Sequence, residues 1–180
     1  MKKNSKQKLK KFAFKIAYLG DNYFGYEKVI NNDVPTVEKY LFEALQKVNL
    51  IQDLKDMNQY EYAKSGRTDR KVSAAGNVFS LKIFVSEKEE KYLCKRINSA
   101  LPDDIIILGC CEVPLNFDAR RSTVQREYFY YFFSDGFDVG LMNQACQFLI
   151  GKHDFKNFCK YNKEYDKCGT VRRIHECYIQ

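Results

Sequence analysis

Residues 64–76, KSGRTDRKVSAAG, set Arg67, Thr68 and Asp69 between two glycines, Gly66 and Gly76, with apolar sequence on both sides. A solvated hairpin turn needs only an Asn-Gly pair. This loop is built instead to present a carboxylate. A carboxylate held out in this way can attack an electron-poor carbon, stabilise positive charge or remove a proton. Arg67 stands two residues before Asp69, so in an extended loop both side chains share a face. Its guanidinium then either pairs with Asp69 or meets a phosphate, for which its planar fork is suited. Thr68 fixes the turn. From spacing alone, the better account of Asp69 is an ordinary Asx turn between strands.

The surroundings are basic and ring-rich. The chain has 180 residues, net charge +7, 13 Tyr, 14 Phe and no Trp. Lys and Arg meet phosphates and rings stack on bases, so a nucleic-acid partner fits, although a lysine-rich surface alone gives the same charge. Lys64, Arg70 and Lys71 surround the loop, and Arg120, Arg121 and Arg126 form a second basic cluster. Such residues can position phosphates without reading sequence. At 45% apolar residues the chain can bury a core and is not disordered by composition. No apolar run reaches the length of a membrane span. Cys159, Cys168, His175 and Cys177 make the one conceivable metal cluster, but their spacing matches no common zinc template. The seven cysteines read as free thiols of a reducing compartment. His153 and His175 carry no partner pattern. The segment MKKNSKQKLKKF lacks an apolar core and is not a signal peptide; residues 1–11 read as a basic disordered tail.

The elements that must carry the loop follow from periodicity. FAFKIAYL at 12–19 alternates as a strand with Phe12, Phe14, Ile16 and Tyr18 on one face. After a Gly- and Asn-rich loop, Thr36 caps a helix whose inner face is Val37, Tyr40, Leu41, Ala44, Leu45 and Val48. A short strand is expected at 60–63, and a long one at 77–85 with Phe79, Leu81, Ile83 and Val85 alternating. Ser86 and Glu89 form a capping box for a single helix to about Ser99, and 105–113 is a strand. The order β-α-β-β-α-β predicts a ferredoxin-like α+β fold, an antiparallel sheet with helices on one face, and puts the Asp69 loop between the two middle strands. The pattern then restarts. VQREYFYYFF at 124–133 reads as a strand, and Asp138 caps a helix with Leu141, Met142, Ala145, Phe148 and Leu149 inward, closed by Gly151. Residues 152–169 read as a polar connection and VRRIHECYIQ as a last strand. The expected division is tail 1–11, ferredoxin-like half 12–115, and an incomplete second half, 116–180.

Taken together, these motifs resemble a known family. SGRTDRKVSAAGNVFSL is similar to the catalytic motif of the TruA family of tRNA pseudouridine synthases, and NFDARRSTVQREYFYYF is similar to its second motif, Phe-x-Ala-Arg followed by Arg-x-Tyr-x-Tyr. YLGDNYFGYE resembles the opening motif, and GKHDFKNFCK and TVRRI resemble later segments. Ser73 and GKHDFKNFCK resemble most the eukaryotic subgroup acting at positions 38 and 39 of the anticodon stem-loop. The resemblance implies the pseudouridine synthase fold and an isomerase that flips a uridine out of tRNA, without metal or cofactor. It implies Asp69 as the catalytic carboxylate and Arg67, Thr68, Arg120, Arg126 and Tyr128 as substrate-binding residues, with Tyr128 stacked on the uracil. It further implies a homodimer when full length, no membrane association, and a cytoplasmic or nuclear location. Three departures stand out. Lys71 replaces a Gly, Tyr26-Glu27 replaces a segment running on to Gln, and the family's C-terminal strand and helix have no counterpart, so the chain reads as truncated and its active site as incomplete. The alternatives are a ferredoxin-like RNA-binding domain without turnover and an interaction domain with a fortuitous Gly-Arg-Thr-Asp loop.

Overall fold

Phe12, Phe14, Ile16 and Tyr18 are all buried in the computed structural model, which describes residues 7–29, 33–54, 56–159 and 169–180. The chain divides into two units, Met1–Arg126 and Glu127–Gln180. The first holds strand β1 (Lys8–Tyr18), helix α1 (Val37–Lys47), strands β2 (Ala63–Lys64) and β3 (Ala74–Val85), helices α2 (Glu87–Glu90) and α3 (Leu93–Asn98), and strand β4 (Ile105–Val113). The sheet order is β2-β3-β1-β4, with every neighbouring pair antiparallel. This is the arrangement that two β-α-β crossovers sharing one sheet produce, and it is the expected ferredoxin-like half.

One face of the sheet is dry. Phe14 stacks on Phe79 with centroids 4.9 Å apart, and Leu81, Ile83, Ile105 and Ile107 extend the layer. Val37, Leu41 and Leu45 of α1 and Leu93 and Ile97 of α3 close it from above. The Thr36 hydroxyl accepts the Lys39 N–H at 3.3 Å, and the chain leaves α1 through Asn49 at φ 56°, a conformation Asn tolerates.

Three local expectations are corrected. The first strand begins at Lys8 rather than Phe12, so residues 8–11 are not tail; residues 1–6 lie outside the described residues. Acids neutralise its lysines. Lys10 lies between Glu90 and Glu112, at 2.5 and 2.8 Å, and the buried Lys11 donates to Glu61 at 3.1 Å. The short strand expected at 60–63 falls at Ala63–Lys64, because Asp56 caps a 3₁₀ turn over Met57–Tyr60 that the chain leaves through Glu61 at φ 45°. The helix expected from Ser86 to Ser99 is two pieces. Glu89 does accept from the Ser86 N–H and hydroxyl, at 2.9 and 2.7 Å, but the helix breaks at Lys91 and Tyr92.

The second unit departs further. Residues 124–133 form no strand, and Tyr128, Phe129, Tyr130, Tyr131 and Phe133 are exposed. Alternation offers a strand, but pairing with a neighbour makes one. Helix α4 (Val139–Gln147) is capped by Asp138 as expected, its carboxylate accepting the Leu141 N–H at 2.9 Å. Its apolar side is not inward: Leu141 and the following Phe148 are exposed. Strands β5 (Gly151–Asp154) and β6 (Val171–Ile174) pair antiparallel. The last was expected; β5 falls in sequence read as polar connection, much of which, 160–168, lies outside the described residues. Here and throughout the described residues, no helix is long and apolar enough to cross a membrane.

Candidate active site

Asp69 rides on the connection between β2 and β3, and backbone bonds hold that connection along its length. At its base the Ser65 N–H donates to Val78 O at 2.8 Å, the Ser65 hydroxyl to Asn77 Oδ1 at 2.6 Å, and Asn77 Nδ2 to Gly66 O at 2.9 Å. The Arg126 guanidinium donates twice to the Ser65 carbonyl, through Nε at 3.1 Å and through Nη2. Thr68 bonds Tyr18, with hydroxyl oxygens 2.8 Å apart, and its carbonyl accepts the Tyr26 N–H at 3.0 Å. Burial pushes the Tyr18 hydroxyl above its ordinary range, so it stays protonated. Farther on, the Lys71 N–H donates to Tyr23 O at 3.1 Å, and the Gly20 N–H to Ser73 Oγ at 2.9 Å.

These bonds lace the Asp69 loop to residues 19–28. Glycine permits the approach at Gly25, whose φ is +107° and where a Cβ would lie 3.0 Å from the Thr68 carbonyl. Asp104, at the mouth of β4, anchors the second loop. It accepts Asn22 Nδ2 at 3.0 Å and the Tyr23 hydroxyl, while its carbonyl accepts the Leu19 N–H at 3.0 Å.

The charges are distributed unevenly. Arg67 donates to Glu27 at 2.7 Å, not to Asp69. Glu27 also meets Lys64 at 2.9 Å, and Lys64 reaches the buried Glu38 at 2.7 Å. Burial alone would push the Glu27 carboxyl up, but Lys64 and Arg67 together hold it below the ordinary range. Asp69 is exposed, and among the described residues its carboxylate takes no hydrogen bond and no ion pair. A chain of alternating cations and carboxylates, Arg67–Glu27–Lys64–Glu38, thus ties up the neighbouring charges, while Asp69 has no partner among the described residues and sits on a fixed backbone, an arrangement suited to a reacting group.

Arg67, Thr68, Asp69 and Arg126 come together around this loop. Arg120 sits in a turn closed by Asp118, which accepts the Arg120 and Arg121 N–H groups at 2.8 and 2.9 Å. Tyr128 belongs to the other unit and is 81% exposed. A cavity of about 300 Å³ lined by Lys11, Glu61, Tyr62, Asn116, Asp118 and Arg121 contains none of the six. Among the described residues no three His, Cys, Asp or Glu side chains converge as metal ligands; Cys168 lies outside them. The six described cysteines are free, and burial beside Cys94 pushes the Cys110 thiol up to about 12.

Known proteins carry related sequences. The chain is 39% identical over 163 residues to tRNA pseudouridine synthase A of Methanosarcina mazei, covering 91% of this chain and 58% of that protein. It is 35% identical over 169 residues to tRNA pseudouridine(38/39) synthase of Saccharomyces cerevisiae, covering 87% of this chain and 38% of that one. It is 37% identical over 186 residues to the Bos taurus protein of the same name, covering 93% and 38%. Over the residues matched, the chain belongs to the TruA family. It spans little more than half the length of the archaeal relative and less of the other two. No family model matches it.

Against the TruA-family pattern the departures now have a geometry. Lys71, in place of Gly, has φ +64°, the left-handed region in which a Cβ is strained. Lys71→Gly is expected to stabilise the fold by about 1 kcal/mol, read as a higher urea midpoint; an unchanged or lower midpoint would contradict the strain. Glu27, where the family runs on to Gln, is the residue that takes Arg67. Spacing missed Glu27, Lys64 and Glu38 as a unit, because the contacts span some 26 to 40 residues. The one sequence signal was the acid at a position where the family carries an amide.

Proposed function

We propose that the protein isomerises uridine to pseudouridine in the anticodon arm of tRNA, with Asp69 as the reacting carboxylate. The observation that carries this is the Asp69 side chain, unpartnered among the described residues, on a backbone pinned at Thr68 and Lys71. The target nucleotide is taken out of its stack. The N1–C1′ bond breaks, the uracil turns, a C5–C1′ bond forms, the C5 proton leaves to water, and N1 takes a proton from water in its place. Atoms and electrons balance without metal, cofactor or energy source. Attack at C1′, stabilisation of positive charge on the sugar, and removal of the C2′ proton each require a free carboxylate beside the ribose.

Arg67 serves at the extruded nucleotide and Arg126 and Arg120 at phosphates, while Thr68 holds the turn under the carboxylate. Tyr128 stacks on a base, worth about 1–3 kcal/mol. Positions 38 and 39 are the expected targets, after the names of the yeast and bovine relatives. A homodimer of the full-length protein and a cytoplasmic or nuclear location belong to the same reading. The test is nucleoside chromatography of tRNA transcripts that retain a single anticodon-arm uridine, at 38 or at 39, after incubation with the full-length protein. Conversion at either position supports the reading. Binding without conversion would favour an RNA-binding module without turnover, for which the strained Lys71 two residues from Asp69 speaks.

A further inference from the structure

Arg70 lies with its guanidinium carbon 4.1 Å from the centroid of the Phe24 ring. Both residues are exposed. Arg67, Lys64, Lys11 and Lys82 each meet a carboxylate. Arg70 meets none among the described residues, and the ring is its recorded partner.

We propose that Arg70, held by Phe24, takes a backbone phosphate of the RNA strand next to the nucleotide presented to Asp69; this rests on the tRNA reading above. Three observations converge. The Lys71 N–H to Tyr23 carbonyl bond, 3.1 Å, joins the residue after Arg70 to the residue before Phe24, so the pair is set by backbone and not by chance encounter of two side chains. Gly25 lets the same two loops close, a Cβ there falling 3.6 Å from the Arg70 nitrogen. Arg70 directly follows Asp69 in sequence, so its backbone lies next to that of the carboxylate the nucleotide must reach. A guanidinium stacked on a ring keeps its N–H edge available and has already lost much of its rotamer freedom, which favours bidentate phosphate contact. Phe24 is the positioning residue and Arg70 the contact.

The experiment measures tRNA affinity of the full-length protein across a salt series. Arg70→Ala is expected to make log Kd less steep against log salt by about one, and to weaken binding about five-fold near physiological salt. Arg70→Lys keeps the slope. Phe24→Leu keeps the slope and weakens binding about two- to five-fold. A purely structural pair would move thermal stability and leave the slope alone, so an Arg70→Ala slope equal to wild type overturns the proposal while leaving the tRNA reading intact. Absence of salt-dependent tRNA binding by the wild-type protein overturns both.

Discussion

Asp69→Asn is expected to lower pseudouridine formation by about 10²–10⁴-fold, the range for losing a positioned acid–base or nucleophilic group, and to leave tRNA affinity unchanged. Asparagine keeps the size and the local turn preference of aspartate, so the Val72 N–H to Asp69 carbonyl bond at 3.2 Å and the Thr68 contacts survive. The substitution breaks no side-chain bond among the described residues, because the carboxylate makes none there. What it removes is the charge. A stability change comparable to the loss in rate would place Asp69 in the architecture of the loop instead. The measurement is single-turnover nucleoside conversion beside a filter-binding isotherm on the same tRNA.

Gly20→Ala is expected to cost about 10²-fold in turnover without touching a reacting group, the loss that follows from a displacement of about 1 Å at a reacting centre. A Cβ on Gly20 would fall 2.4 Å from both the carbonyl carbon and the oxygen of Val72, and 2.8 Å from the carbonyl carbon of Lys71. All three are backbone atoms, so no side-chain rotation relieves the clash. Either residues 19–23 or residues 69–73 must move. The first are tied to β4 through Asp104, and the second carry Asp69. The expected signature is a fall in kcat larger than the rise in KM, with circular dichroism of the sheet retained. Wild-type kcat in a folded Gly20→Ala protein would show that the loop tolerates the shift and that its fixed backbone is unimportant to the rate.

The first unit was largely legible because its signals are local. Alternating Phe12, Phe14, Ile16 and Tyr18, and Phe79 to Val85, are each enough to define a buried strand face, and Thr36 announces its helix. Where the sequence misled, a longer-range term decided. Lys8 to Lys11 look like a solvated tail until Glu61, Glu90 and Glu112 arrive from other elements. Residues 124–133 have a strand's period, yet period does not supply a pairing partner. Nothing in the residue types marks the helix break at Lys91 and Tyr92. In the site, the glycines and the Arg-Thr-Asp order pointed to the loop. In place of the Arg67–Asp69 pair held open as one reading, Arg67 donates to Glu27, 40 residues earlier in the chain. Ion pairs of that separation have no periodicity to read.

The most direct test of the central claim is release of tritium to water from tRNA labelled at uridine C5, comparing the full-length protein with its Asp69→Asn variant. The account predicts one tritium released per pseudouridine formed by the wild type and essentially none by the variant at equal tRNA occupancy. Undiminished release by Asp69→Asn would contradict it.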